Sequence, residues 1–200
     1  MTVFDIETKP QSDAQLELVK PVFRAPSNYK DQAKIDIYIL DAEAEWKKRA
    51  ALSALTGRVL AIGTKEGAYI QIIEGAEPDM LAKFWQEFQE AEEMAGFCVK
   101  SFDLPFLVQR SFINQVKVPV TLFDGRYYSR DVVDLQEVWL CYGRERDGAS
   151  LDAVCRACGI GGKTGSGADF ARLYETDREA ALMYLRDDLN LTQKLAERLL

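Results

Sequence analysis

Asp5 and Glu7 are separated by one residue in the run Val3-Phe4-Asp5-Ile6-Glu7-Thr8. That run alternates like a β-strand, so both carboxylates emerge on one face and Ile6 points the other way, into core. Two acids on a buried strand repel each other unless a cation offsets the charge. All-oxygen ligands at this spacing suit Mg²⁺ or Mn²⁺. The plainer alternative is a strand end where both acids meet water.

A second acid, Asp103, sits in Ser101-Phe102-Asp103-Leu104-Pro105-Phe106-Leu107, flanked by large apolar residues. It reads either as a first-turn helix acid satisfied by free amides or as a metal ligand, and the two roles are compatible. Tyr184 and Asp188 lie four apart near the end of the chain, hence stacked on one helical face. That face continues through Leu195 and Leu199, so it packs inward. Core packing alone would also explain Tyr184. Asp187, at i+3, is not excluded by helical geometry as the partner of Tyr184.

The rest of the composition narrows the chemistry. The 200 residues contain no histidine, which removes imidazole bases, Ser–His–Asp and His–Cys nucleophiles and His-based zinc sites. The formal charge of −7 argues against a broad, passive phosphate-binding surface. It is compatible with a nuclease whose carboxylates gather around cations that invert the local field. Apolar residues make up 48 %, enough for a substantial core, with no run of about 18 that could span a membrane. There is no signal-like segment, and the chain reads as intracellular, with a cytoplasmic location expected. Four scattered cysteines do not call for a disulfide framework.

The elements that position these residues follow from periodicity. The first strand ends at Lys9-Pro10. Residues 10–34 are polar and irregular, an ordered insertion or lid reaching to about residue 40 within one domain of residues 1–200. Asp41 is expected to cap a helix over 42–55 that Gly57 stops. Strands follow at 59–63 and 69–73, joined by a turn at 65–67. Pro78 opens a helix to about Glu92, with Leu81, Phe84, Trp85 and Phe88 as its core face. Then come a short buried strand at 94–97, a helix at 102–114 and a strand near 130–133. Helices at about 135–141 and 151–157, a glycine-rich connector at 159–167 and a long helix from Asp177 to Leu200 complete one α/β domain.

Two local signals are set aside. Gly162-Lys163-Thr164 would need Gly at 157 for a phosphate loop, and Ala157 stands there. Cys155 and Cys158 have zinc-like spacing but no second pair to join them.

Three motifs in order resemble the DEDD superfamily of 3′→5′ exonucleases, and within it the tyrosine-type subgroup. That subgroup includes the proofreading domain of family B DNA polymerases and its stand-alone bacterial and phage relatives. Phe4-Asp5-Ile6-Glu7-Thr8 is similar to the first motif, Gly96-Phe97-Cys98 through Asp103-Leu104-Pro105-Phe106-Leu107 to the second, and Tyr184-Leu185-Arg186-Asp187-Asp188 to the third. Ser150-Leu151-Asp152-Ala153-Val154 through Gly159-Ile160 resembles the segment that precedes the third. One departure is Cys98, where the family usually has Asn; a thiol cannot reproduce an amide's contacts.

The resemblance implies an RNase H-like fold: a mixed five-stranded sheet, three strands antiparallel and two parallel, flanked by helices. It also implies two divalent cations, Mg²⁺ or Mn²⁺. Asp5 would bridge them, Glu7 and Asp188 would complete one, and Asp103 would hold the second. Tyr184 would orient the attacking water, and nucleoside 5′-monophosphates would leave from the 3′ end of DNA, with single-stranded DNA the expected partner. Thr8, Phe102, Phe106 and Lys163 are the candidate substrate contacts; core packing is the alternative for the two rings, and a solvated loop for the lysine. RNA as substrate, and a catalytically inactive nucleic-acid-binding module, are the competing readings.

Overall fold

The computed structural model describes residues 1–119, 122–124, 127, 128, 131–144, 148–163, 165 and 167–200. In chain order the elements are β1 (Thr2–Pro10), α1 (Asp13–Val19), α2 (Gln32–Lys48), β2 (Gly57–Glu66), β3 (Tyr69–Ile73), α3 (Glu77–Glu90), β4 (Met94–Gly96) and α4 (Asp103–Ile113). They continue with the small hairpin β5 (Phe123–Asp124) and β6 (Tyr127–Tyr128), then β7 (Val132–Asp134), α5 (Leu135–Trp139), α6 (Leu151–Ala157), α7 (Phe170–Thr176) and α8 (Arg178–Leu199).

Five strands form one sheet in the order β3-β2-β1-β4-β7. β2 and β3 run antiparallel, with Ile62 opposite Ile73 and Glu66 opposite Tyr69. β1 and β4 are parallel in the register Thr2↔Met94, and β4 and β7 are parallel in the register Met94↔Val132. The sheet is therefore mixed, in the RNase H-like manner, and β1 lies at its centre.

Strand alternation decides what each face of β1 meets. Phe4 and Ile6 are buried on one side, where the Phe4 ring lies 5.3 Å from Phe84 of α3. Met80, Leu81, Phe84, Trp85 and Phe88 are the buried positions of α3, at helical spacing, with Pro78 in its first turn. Val3 faces the opposite way and joins a core with Leu189 and Leu195 of α8. α8 presses so closely on β2 that a Cβ at Gly63 would come within 2.7 Å of the Leu189 side chain. A side chain at position 63 would displace the Leu189 and Leu185 side chains of this helix. Asp5 and Glu7 share Val3's parity, so the strand directs them toward α8.

By Cα proximity the chain divides into Met1–Glu7 with Val59–Leu200, and Thr8–Arg58. The second unit is more regular than its polar sequence suggests. The stretch expected to be irregular, residues 10–34, holds α1, which buries Leu16, and the first turn of α2. Asp31, not Asp41, caps α2: its side chain accepts the Ala33 amide at 2.9 Å. Ile35, Ile37 and Ile39 alternate and are β-branched, which hides the helix from a periodicity reading. The Asp31 cap and a Gln32–Asp36 hydrogen bond of 2.8 Å outweigh that local preference. The helix stops at Lys48, ahead of a 3₁₀ turn at Ala50–Leu52, and Gly57 opens β2. α7 was not expected, and neither was the β5–β6 hairpin. Of the expected strand at 130–133, Val132 and Val133 lie in β7, and Arg130 falls outside the described residues.

Candidate active site

Asp5, Glu7 and Asp188 each offer a carboxylate oxygen, and these atoms all lie within 4.8 Å of one another. β1 supplies the first two and α8 the third. Glu7 is 7 % and Asp188 2 % exposed. The consequence is electrostatic. Burial, with Asp188 close by, pushes the Asp5 carboxyl up to about 7. Burial and the neighbouring Asp5 and Asp188 hold Glu7 well above the usual range as well. A cluster that resists its own ionisation is one that a divalent cation would stabilise.

Asp103 is placed differently. It opens α4, is 3 % exposed, and its Oδ1 accepts the Ile6 amide of β1 at 3.1 Å. Its carboxylate is not one of the clustered three. Burial and then Asp5 nevertheless keep its pKa well raised. The first-turn role and the site role thus coexist: one oxygen anchors helix to strand beside the acids.

Tyr184 and Asp188 project from α8 at i and i+4, and both are buried. Lys163 reaches the pair from the connector. Its Nζ lies 2.5 Å from Asp188 Oδ2 and 3.2 Å from the Tyr184 hydroxyl. Burial, with Asp187 nearby, keeps the Asp188 carboxyl above its ordinary value although Lys163 and Tyr184 act to lower it. Burial also pulls Lys163 down, but its bond to Asp188 prevails and the ammonium is held above the ordinary lysine range. Among the described residues, the buried Asp188 Oδ1 has no hydrogen-bond partner. An orphaned carboxylate oxygen beside two more carboxylates fits a hard cation such as Mg²⁺ or Mn²⁺, and so does the all-oxygen donor set.

The connector passes close to the tyrosine: a Cβ at Gly165 would stand 3.0 Å from the Tyr184 ring. The Lys163 amide donates to Asp152 Oδ1 at 2.6 Å, tying the connector to α6. The other candidate contacts are less exposed to a ligand than their motif positions imply. Phe106 is buried, with its ring 5.7 Å from Phe102, which is half-buried. The Thr8 hydroxyl donates to the Ala51 carbonyl at 2.8 Å within its own unit.

Asp134, which the motif reading passed over, braces the second motif. Its carboxylate accepts the amides of Cys98 and Lys100, each at 2.9 Å, while capping α5 through Gln136 at 2.9 Å. The available signal was an acid after two apolar strand residues and before a helix.

The same loop holds Cys98, the residue that departs from the motif this chain resembles. Cys98 has φ 68°, in the left-handed region that Asn adopts more readily than other residues with a Cβ. The usual Asn therefore suits the backbone here, apart from any contact its amide makes. Cys98→Asn is expected to raise stability by about 0.5–1 kcal/mol through relief of this strain. Chemical denaturation measures it, and a loss of stability would show that the Cys98–Ser101 contact at 2.9 Å matters more.

An RNase H-like sheet carries at its central strand a cluster of three carboxylates that could hold a metal ion, the arrangement expected of a metal-dependent nuclease. The chain belongs to a family described as predicted 3′-5′ exonucleases related to the exonuclease domain of PolB, whose model matches residues 48–189. That stretch contains Asp103, Tyr184 and Asp188, and Asp5 and Glu7 precede it. Among solved structures, a family B DNA polymerase from the hyperthermophilic archaeon Pyrobaculum calidifontis is similar, with a TM-score of 0.64 at 18 % identity. The similarity covers 99 % of this chain and 24 % of the polymerase, so the chain spans about a quarter of that protein's length. At this identity it speaks for the fold alone. No curated protein matches. Among the described residues, no helix is long and apolar enough to cross a membrane.

Proposed function

We propose that this chain is a tyrosine-type 3′→5′ exonuclease that removes nucleoside 5′-monophosphates from the 3′ end of single-stranded DNA. The observation that carries this reading is the convergence of Asp5, Glu7 and Asp188 within 4.8 Å of one another. The orphaned Asp188 Oδ1 adds to it. Asp5, Glu7 and Asp188 would hold Mg²⁺ or Mn²⁺, with Asp103 joining directly or through water, and bound cations would lower the pKa of the attacking water and stabilise the leaving oxygen.

The protein's own groups do the rest. Burial keeps the Tyr184 phenol protonated well beyond the ordinary tyrosine range, so it donates a hydrogen bond and serves to orient the water, not to deprotonate it. Lys163, whose Nζ lies 2.5 Å from Asp188, would meet a phosphate oxygen of the substrate. Phe102, half-buried beside the second motif, would offer a ring to the terminal base. With no histidine in the chain, proton transfer rests on water and the carboxylates.

The experiment is a titration of Mg²⁺ and Mn²⁺ against single-stranded DNA and RNA labelled at the 3′ or the 5′ end. The expected result is cation-dependent release of mononucleotides from the 3′ end, with DNA cut faster. Equal or faster cleavage of RNA would shift the substrate to the exoribonuclease reading. No release from any free 3′ end would leave a binding module that has lost catalysis.

A further inference from the structure

We propose that Thr8–Arg58, inserted directly after the Asp5–Glu7 strand, is a grip for single-stranded nucleic acid that holds the strand by base stacking and by phosphate contacts along α2. The proposal rests on the exonuclease reading, because it concerns the same polyanionic substrate.

Charge is distributed unevenly along the chain. Thr8–Arg58 carries nine Lys and Arg against seven Asp and Glu, a net +2. The remainder carries 16 against 25, a net −9. A nucleic acid strand approaching an acidic body needs favourable contacts elsewhere, and this inserted unit is the net positive part of the molecule.

Its surface has the matching chemistry. None of the 17 residues of α2 is fully buried: Ile35, Ile39, Ala42 and Trp46 are half-buried along one face, while Lys34, Tyr38 and Asp41 are exposed. Near its start, Tyr29 and Tyr38 form an exposed edge-to-face pair with ring centroids 5.8 Å apart. Near its end, Phe23 and Trp46 form a second pair at 6.1 Å. Eight residues of helix separate Tyr38 from Trp46, a distance of about 12 Å. Trp46 also lines an apolar groove of about 680 Å³ with Val19, Pro21, Leu52 and Leu55, and Arg49 stands among them.

Cations flank both aromatic stations. Lys34 lies one helical turn before Tyr38 on the same face, and Lys30 follows Tyr29. Lys47, Lys48 and Arg49 follow Trp46. The acids of α2 are largely occupied. Glu43 pairs with Lys20 at 2.7 Å and Lys47 at 3.1 Å, Glu45 stands 4.0 Å from Lys48, and Asp36 accepts from Gln32. Asp41 is the exception, with no ion pair among the described residues. Lys34 and Arg49 form no ion pair among the described residues. Flat rings for bases, interleaved with cations for phosphates, make a sequence-tolerant single-strand platform.

The test uses the full chain with EDTA present, so that binding is read without hydrolysis. Fluorescence anisotropy follows a fluorescein-labelled 20-nucleotide oligo-dT. Tyr38→Ala should weaken binding on the order of 10-fold, the loss of one stacking partner. Lys34→Gln should reduce the slope of log affinity against log salt by about 0.7, the loss of one phosphate contact on a single strand. Both side chains are exposed, and melting curves verify that the variants fold.

Oligo-dT affinity and salt slope equal to wild type in both variants would overturn the proposal, as would a wild type that does not bind. That would be the outcome if the patch served a protein partner instead. Wild-type hydrolysis of the same oligonucleotide with Mn²⁺ is scored separately. Its absence would defeat the exonuclease reading, while the binding measurement would still decide the grip.

Discussion

Asp5→Asn is expected to lower Mn²⁺-dependent hydrolysis on the order of 10³-fold or more while raising the melting temperature of the protein in EDTA. The first effect follows from losing an oxygen at the centre of the carboxylate cluster. Electrostatic stabilisation by a metal site contributes several kcal/mol to the transition state, and each 1.36 kcal/mol is a factor of about ten in rate. The second effect follows from the cluster's own repulsion. Burial, with Asp188 nearby, pushes the Asp5 carboxyl up to about 7 from 3.8.

The sign of the pH dependence is fixed by linkage. The folded protein keeps the Asp5 proton up to about pH 7, whereas the unfolded chain releases it near 3.8. Between those values the folded state binds more protons, so stability in EDTA falls as pH rises from about 4 to 7 and then levels. Glu7 and Asp103, also raised, act in the same direction. Asparagine at position 5 carries no charge at any pH. Its melting temperature at pH 8 in EDTA should therefore exceed wild type by roughly 3–8 °C, and its decline with pH should be shallower. Mn²⁺ should restore the wild type more than the variant. A wild type whose melting temperature in EDTA is flat between pH 5 and pH 8 would show that the carboxylates are not crowded as the structure has them.

Arg110→Met is expected to cost about 3–5 kcal/mol, a large stability loss for a change away from the site. Arg110 and Glu77 form a buried ion pair between α4 and α3, with side chains 5 % and 9 % exposed and the closest contact at 2.6 Å. Glu77 also accepts the Val59 amide of β2 at 2.8 Å and the Asn114 amide at 3.1 Å. Among the described residues, removing the guanidinium leaves the buried Glu77 carboxylate with neutral donors only, which costs far more than breaking an exposed pair would. For a chain of this size the loss corresponds to a drop of roughly 6–20 °C. Urea denaturation gives the free energy directly, and a loss below about 1 kcal/mol would mean that water replaces the arginine at little cost.

Parts of the site are legible because they are local. Asp5 and Glu7 share a face because strand side chains alternate, and Tyr184 and Asp188 share one because a helix repeats every 3.6 residues. The core face of α3 follows from the same rule, and so does the burial of Phe4 and Ile6 opposite the acids. α2 was obscured because its isoleucines alternate like a strand while a capping aspartate and side-chain hydrogen bonds decide for helix. The bracing of the second motif by Asp134 joins residues 34 to 36 positions apart, beyond any periodic signal. The strain at Cys98 is a property of that loop's path and leaves no mark on residue type.

Sequence by itself determined which side chains share a face and which donor atoms are available: carboxylates, a phenol and no imidazole. Tertiary structure alone decided which of them meet. It brought β1 and α8 together so that three carboxylates cluster, turned Asp103 to anchor α4 on β1, and carried Lys163 out of a glycine-rich connector onto Asp188. The physical reason is that periodicity acts within one element, while electrostatic crowding and burial are collective. The pKa of Asp5 depends on a helix almost the full length of the chain away, and it exists only once the two have packed.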